Sequence, residues 1–346
     1  MKYAGNMENI FKKVDAISSS EIVESIKIFG ASKSIVPYFT IAIPTYKRSN
    51  TLKETLESAL CQEEFMDYDI IVVDNNPERG DETEVFMQSY RDNSKVSYFK
   101  NSQNLGMAGN WNKCILLSTS ERIILVHDDD ILSPYALDTF CKISKYLPND
   151  WALFKPNFKR FSNKTELSFE TYTKITLREL EVCDFFAGDA VGAPTVILLN
   201  RDKMIDIGGV KIDYFPCIDY VMSLQATIFH RTFIAPTCYL GGYRVSVNES
   251  LSVQTMNHFF DMRTQISNVV MCHYHIPVFC KKIIHTFNFD EVFEWVKWYY
   301  NMPDYKYALP KDEVCHLTGM QSILARKIYI VIIRIFTIWH KKKISL

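Results

Sequence analysis

Hydrophobic and polar positions along the chain fall into three regimes. Residues 1–36 are mainly polar, with apolar positions at Ile22, Ile26 and Phe29 whose helical spacing predicts a leader that packs on the main domain. At Phe39 the pattern changes to short apolar runs separated by amphipathic stretches. Residues 39–43, 69–73, 96–99 and 122–126 read as strands, and the first is closed by Pro44. Helical spacing fills the gaps at 50–60, 82–90, 107–118 and 134–146. Strands apolar throughout, alternating with helices, predict a mainly parallel sheet covered by helices on both faces. The pattern loosens over 151–180, gives a short strand at 195–199, and regains helical spacing at 215–229 through Ile218, Val221, Met222 and Leu224. Beyond His258 the chain reads as mostly helical.

In a sheet of this class, ligands sit at the carboxyl ends of the strands. The polar clusters fall there: Pro44, Thr45, Tyr46, Lys47 and Arg48 after the first strand, Asp74–Asn75–Asn76 after the second, and Asp128–Asp129–Asp130 after the fourth. There is no GxGxxG after the first strand and no GxxxxGK[ST] anywhere, so a glycine-rich phosphate cradle is not expected. Three consecutive carboxylates repel one another and raise each other's pKa unless a cation neutralises them. Oxygen ligands on a short turn suit Mg2+ or Mn2+. The other reading is an acidic turn favoured by the N-terminus of the helix after Pro134. Composition narrows the class further. With 346 residues, 47% of them hydrophobic, the chain buries a large core. A formal charge of −1 argues against a general nucleic-acid binder.

Nine dispersed cysteines without a CxxC pair predict reduced thiols and a cytoplasmic location. The first twenty residues lack the apolar centre of a signal peptide, and the nearest approach to a span, 323–339, is interrupted by Arg326, Lys327 and Arg334. The stretch from Arg326 to Lys343 mixes Ile, Phe and Trp with Arg and Lys. It suits a helix lying on an anionic membrane, or equally one packed on the domain with a solvated basic tail.

Taken in order, these segments resemble glycosyltransferase family 2. Ile41 to Arg48 resembles that family's first strand and donor-contacting turn. Ile71 to Asn75 resembles the segment whose Asp contacts the nucleobase. Asn101 to Asn112, Val126 to Asp130 with Pro134, Gly208–Gly209 with Ile218–Asp219, and Tyr243–Arg244 through Ser250 resemble the motifs that follow. The resemblance implies an α/β fold of GT-A type, a Rossmann-like mostly parallel sheet flanked by helices. It divides the chain into a helical leader (1–37), a catalytic domain (38–250) and a mostly helical C-terminal extension with a basic amphipathic tail (251–346).

It further implies an inverting transferase moving a sugar from a nucleotide-sugar donor, UDP-linked by default, to a hydroxyl of a glycan or lipid-linked acceptor. The expected setting is bacterial surface polysaccharide, O-antigen or capsule, with peripheral contact at the inner membrane and no nucleic-acid partner. Asp219 is the expected base. The expected donor contacts are Pro44, Thr45, Tyr46, Arg48, Asp74, Asn104, Asn110, Asp128 and Arg244. Mn2+ or Mg2+ is expected on Asp129, with Asp128 and Asp130 beside it. His127 stands where the family usually carries an acid, and Ile218 where many members carry Glu, which leaves a single carboxylate as base. The Gln-Arg-Arg-Trp signature of processive members is absent, which points to single additions. A sugar nucleotidyltransferase, or a non-catalytic glycan-binding protein on the same fold, are the alternative readings.

Overall fold

The computed structural model describes residues 7–30, 35–245, 253–299, 304–307, 323–329 and 341–345. After a short 3-10 turn at Met7–Phe11 come α1 (Ile17–Glu21), β1 (Ser25–Phe29), β2 (Phe39–Thr45), α2 (Ser49–Leu60), β3 (Tyr68–Asp74), α3 (Glu82–Met87), β4 (Val96–Asn101), α4 (Gly106–Leu117) and β5 (Arg122–Leu125). Then follow β6 (Ile131–Leu132), α5 (Ala136–Ser144), β7 (Trp151–Phe161), β8 (Lys174–Leu180), β9 (Ile197–Asn200), α6 (Arg201–Asp206), α7 (Ile218–Phe229), β10 (Arg231–Arg244), α8 (Val253–His273), α9 (Val278–Tyr299) and β11 (Lys341–Ser345).

One sheet runs through the described residues in the order β1-β4-β3-β2-β5-β9-β7-β10-β8-β11, with β6 laid against β10. Its β4-β3-β2-β5 half is parallel. Beyond β5 the strands are mixed: β9 is antiparallel to both neighbours, and β7 is parallel to β10. Side chains alternate between faces along a strand, and both faces of the parallel half are covered. Ala42, Ile71, Val73, Ile123 and Leu125 join a core with Trp111 and Ile115 of α4 and Val221 and Leu224 of α7. Phe39, Ile41, Ile43, Ile70 and Val72 join a second core with Leu52 and Leu56 of α2 and Leu137 and Phe140 of α5. The result is the helix–sheet–helix sandwich that the apolar runs predict, an α/β fold.

The leader differs from the helical expectation. Its residues 25–29 form a strand antiparallel to β4 at the sheet edge, so the spacing of Ile22, Ile26 and Phe29 is not a helical face. Ile26 is half exposed, Ile22 almost wholly exposed, and only Phe29 is buried. The earlier leader residues dock on the opposite face of the domain. Gln225 of α7 donates its side-chain amide to the carbonyls of Asn9, Ile10 and Lys12. Ala16 N–H bonds to Gly208 O at 2.8 Å. Gly208 has φ +86°, and a Cβ there would stand 2.1 Å from the Val14 carbonyl oxygen. The glycine is therefore required by the approach of the leader as well as by its backbone angle.

Two further differences concern strands hidden by their own punctuation. β7 carries Pro156, and β10 carries Pro236 and Gly241–Gly242, residues that weaken strand readings. The pairing of β10 with β7 shifts register between Ala235 and Tyr239, and this bulge takes up the exposed Pro236. At the C-terminal end, Lys341–Ser345 is a strand paired antiparallel with β8, not the end of a basic helix. Among the described residues no helix is long and apolar enough to cross a membrane.

Candidate functional site

The parallel register brings the polar strand ends side by side. Thr45 lies opposite Asp74 in the β2–β3 pair, and Ala42 lies opposite Leu125 in the β2–β5 pair. The chain leaving β5 through His127 to Asp130 therefore emerges beside the β2 turn. Asn75 N–H bonds to Thr45 O and Val126 N–H to Ala42 O, which joins the loops at their roots.

The acid turn is held from several sides. Asp130 N–H returns to His127 O, and Thr55 Oγ1 of α2 donates to Asp130 O at 2.7 Å. Arg244, at the end of β10, donates its backbone N–H to Asp130 Oδ1 at 3.0 Å and Nε to Asp129 O at 2.8 Å. Its Nη2 reaches Glu54 Oε2 at 2.7 Å. The side chain is buried and its fork is spent on the turn and Glu54, so in this structure Arg244 shapes the acid turn and presents little surface to a ligand. Glu54 carries no motif in the sequence; only the fold brings it to Arg244.

The three carboxylates have different surroundings. Asp128 Oδ2 accepts from Thr45 Oγ1 at 2.7 Å, and Arg48 Nη1 lies 3.5 Å from Asp128 Oδ1. Burial raises its pKa to about 7 against the opposing pull of Arg48. Asp129 Oδ2 accepts from Arg48 Nη1 at 2.7 Å. Asp130 is fully buried, its Oδ2 has no hydrogen-bond partner, and burial followed by the Asp129 charge raises its pKa to about 8. Nε2 of His127 is likewise buried without a partner. Burial lowers that imidazole to about 4, and it stacks on Trp111 with ring centroids 5.1 Å apart.

Ligand atoms of His127, Asp129 and Asp130 all lie within 4.8 Å of one another. A neutral imidazole nitrogen and two carboxylate oxygens, two of the three side chains carrying an orphaned polar atom, form a donor set that fits a divalent ion such as Mn2+. The sequence reading placed Asp128 in this group and left His127 out. The structure turns Asp128 toward Thr45 and brings His127 in.

The nucleobase-side residues are tightly knit. Asp74 is 0% exposed. Its carboxylate accepts from Tyr98 Oη at 2.7 Å, Lys100 Nζ at 2.9 Å and the Asn76 N–H at 2.9 Å. Lys100 is as deeply buried and also reaches Asp81 at 2.6 Å. Asp74 thus fixes the loop from within, and no carboxylate surface faces outward. Asn110 is similarly spent: it donates to Val73 O and accepts from Asn101. Asn104 is exposed and accepts from Asn75 Nδ2 at 2.8 Å, and Tyr46 is exposed on the turn after β2. Pro44 is buried within β2.

On the other side, Asp219 lies in the first turn of α7, where the Tyr220 N–H bonds its Oδ1 at 2.9 Å. Burial raises its pKa to about 6. Asp189 stands close enough for the Asp219 charge to act on it, and burial followed by that charge raises it to about 7. The sequence reading had a single carboxylate here; the fold supplies two. Lys155, buried in β7 and donating to Thr195 O at 2.6 Å, feels both Asp130 and Asp189 and so joins the two acidic clusters. Burial lowers its pKa to about 7. Nothing local in the sequence marks Asp189 or Lys155. The closing residues 248–250 lie outside the described residues.

Residues 40–171 match the family described as Glycosyl transferase family 2. An uncharacterized protein of Mycobacterium tuberculosis, MT1568, is 25% identical over 197 residues, covering 53% of this chain and 60% of that protein. The uncharacterized glycosyltransferase MJ1057 of Methanocaldococcus jannaschii is 27% identical over 115 residues, covering 33% of this chain and 38% of its own length. The chain thus spans less than two thirds of these relatives. Among solved structures, S. aureus TarS 1-349 in complex with UDP-GlcNAc superposes with TM-score 0.54 at 15% identity, covering 85% of this chain and 81% of that one. The mannosyltransferase PcManGT from Pyrobaculum calidifontis, in complex with GDP-Man and Mn2+, gives TM-score 0.50 at 12% identity over 97% of this chain and 94% of that one. Both are likenesses of fold.

Proposed function

We infer, from the glycosyl transferase family 2 domain that this chain carries over residues 40–171, that it moves a sugar from a nucleotide-sugar donor to a hydroxyl of a glycan or lipid-linked acceptor with inversion at the anomeric carbon. The observation that carries this reading is the meeting of the β2 turn, the acid turn and Arg244 at one end of the parallel strands. The donor lies across that end, with Thr45, Tyr46 and Arg48 on one side and Asn104 on the other. Asp74 and Asn110 act by holding the nucleobase-side loop in shape. Asp128, bonded to Thr45, closes the floor, and Pro44 sets the turn.

The acceptor oxygen attacks the anomeric carbon as the bond to the diphosphate breaks. Its proton passes to Asp219, and the electron pair leaves with the diphosphate. His127, Asp129 and Asp130 would hold a divalent ion, Mn2+ or Mg2+, which would supply positive charge against that leaving group. Asp189 and Lys155 set the electrostatics between the metal and base ends. We take residues 38–250 as the catalytic unit, with residues 1–37 and 251–346 flanking it. UDP-sugars are the default donors, in keeping with the UDP-GlcNAc complex of TarS, and the GDP-Man complex of PcManGT makes GDP the main competitor. The proposed setting is the assembly of bacterial surface polysaccharide on the cytoplasmic face of the membrane.

A thermal-shift screen against UDP, GDP, CDP and dTDP, each with and without Mn2+, tests the donor reading, because a ligand that binds the native state raises the melting temperature. At one hundred times Kd the stabilisation is about 2.7 kcal/mol, which gives a shift of several degrees with one nucleotide, dependent on Mn2+. No shift with any of the four would sink the reading.

The described part of the C-terminal extension supports contact with the membrane. In the helical segment 323–329, Ala325 and Tyr329 pack on Ile283 and Phe287 of α9, while Ile323, Leu324 and Ile328 are exposed beside the exposed Arg326 and Lys327. An apolar and basic surface of this kind suits an anionic interface. The protein should float with vesicles containing phosphatidylglycerol and not with pure phosphatidylcholine. Equal recovery with both would remove the anionic-lipid part of the proposal.

A further inference from the structure

Three cations stand around the acid turn, and they are held differently. Arg244 binds a backbone carbonyl and Glu54. Lys155 binds the carbonyl of Thr195. Arg48 binds the carboxylates themselves: Nη1 is 2.7 Å from Asp129 Oδ2 and 3.5 Å from Asp128 Oδ1. It sits just ahead of α2, with its side chain 24% exposed, while that of Asp129 is only 9% exposed.

A guanidinium is permanently charged and matches carboxylate and phosphate alike. It neutralises the Asp129 carboxylate, which is also the group a divalent ion would use there. An ion on that carboxylate would bring a doubly charged neighbour against the guanidinium 2.7 Å from Oδ2. Two cations on one carboxylate repel each other, so each weakens the other's hold on Asp129.

We propose that Arg48 competes with the divalent ion for the Asp129 carboxylate, so that metal entry and release of the guanidinium are one exchange. The inference rests on the metal reading given above. It deepens that reading by giving the strength of metal binding to a residue outside the ligand set. Once released, the guanidinium stands on the donor-side turn, where a diphosphate offers it bidentate oxygens. Metal and nucleoside diphosphate then favour each other's binding, and by linkage the factor is the same in both directions.

The test uses Mn2+ alone as the probe, titrated by calorimetry into wild type, R48Q, R48K and D129N. R48Q removes the competing charge and should tighten Mn2+ binding by roughly ten- to a hundredfold, the worth of one hydrogen bond to a charged group. R48K keeps a cation and should stay nearer wild type. Equal or weaker binding by R48Q overturns the exchange. If binding is lost in D129N while R48Q leaves it unchanged, only the exchange fails and the metal reading stands. If neither wild type nor R48Q binds Mn2+ saturably, both fail. A second measurement needs no loss of the side chain. The Arg48 Nε–H resonance, assigned by its disappearance in R48K, should shift when Mg2+ is added to the wild-type protein. A resonance that stays in place overturns the exchange even if R48Q does not fold.

Discussion

Replacing Asp219 by asparagine should leave nucleoside-diphosphate binding unchanged and reduce sugar transfer by about 10²- to 10⁴-fold, the usual contribution of a positioned general base. The substitution keeps the size of the side chain and an oxygen that can still accept the Tyr220 N–H bond, so α7 retains its first turn. What is lost is the ability to take a proton. Release of nucleoside diphosphate from the donor identified by the thermal screen, with a membrane lipid extract as acceptor source, measures transfer; the melting shift measures binding. The pH profile provides a second check. The base works deprotonated, and its pKa is raised to about 6. The wild-type rate should therefore fall as pH drops through about 6 and level off above it, and the residual rate of Asp219→Asn should lack that limb. Transfer by the variant at near wild-type rate would exclude Asp219 as the base.

The second large effect is expected at the other end of the site. Asp129→Ala should abolish the Mn2+-dependent part of nucleotide binding and lower transfer by about 10²- to 10³-fold, as when one preorganised electrostatic contact to a developing charge is removed. The variant also strips Arg48 of its 2.7 Å partner, so it deletes a cation site and an ion pair together. Asp128→Asn is the natural comparison. It should lose less, because Asp128 Oδ2 is committed to Thr45 and its replacement can still accept that bond. Equal losses in the two variants would mean that the carboxylates act as one charge cluster, with no distinct metal position.

The parallel half of the sheet was legible because its strands are buried on both faces. Phe39, Ile41 to Ile43 and Ile70 to Val73 are apolar for that reason, and the polar residues from Tyr46 and from Asn75 mark where the strands stop, β2 carrying Pro44 as its sixth residue. The strand-end position of Asp128 to Asp130 and of Thr45 was visible for the same reason. The mixed half was not. β7 presents Lys155 and Pro156 in mid-strand, and β10 needs a bulge to carry Pro236. No periodic signal survives such interruptions. β1 lies at an edge and is mostly exposed, so its apolar positions do not report a strand face.

The same contrast holds within the site. Carboxylates next to one another in sequence announce themselves. His127 gains a ligand's position only when Trp111 stacks on it and Asp128 is drawn toward Thr45. Asp74 and Asn110 have the residue types of ligand contacts, yet their partners, Tyr98, Lys100, Asn101 and Val73, consume them. Burial of the strand end decides that outcome, and the residue types alone do not.

The bonds from Gln225 to the leader join residues 213 to 216 positions apart. On the ribosome the leader is made well before the helix it binds. At about 5–20 residues per second the delay is on the order of 10–40 s. Through that interval Ile10, buried in the finished protein, lacks the α7 surface on which the Met7–Phe11 turn packs. Docking of the leader on α7 is therefore a late event of high contact order, and it completes the packing around the helix that carries Asp219. In a nascent chain stalled before residue 225, residues 7–12 should be open to protease while the β2–β5 sheet is already closed.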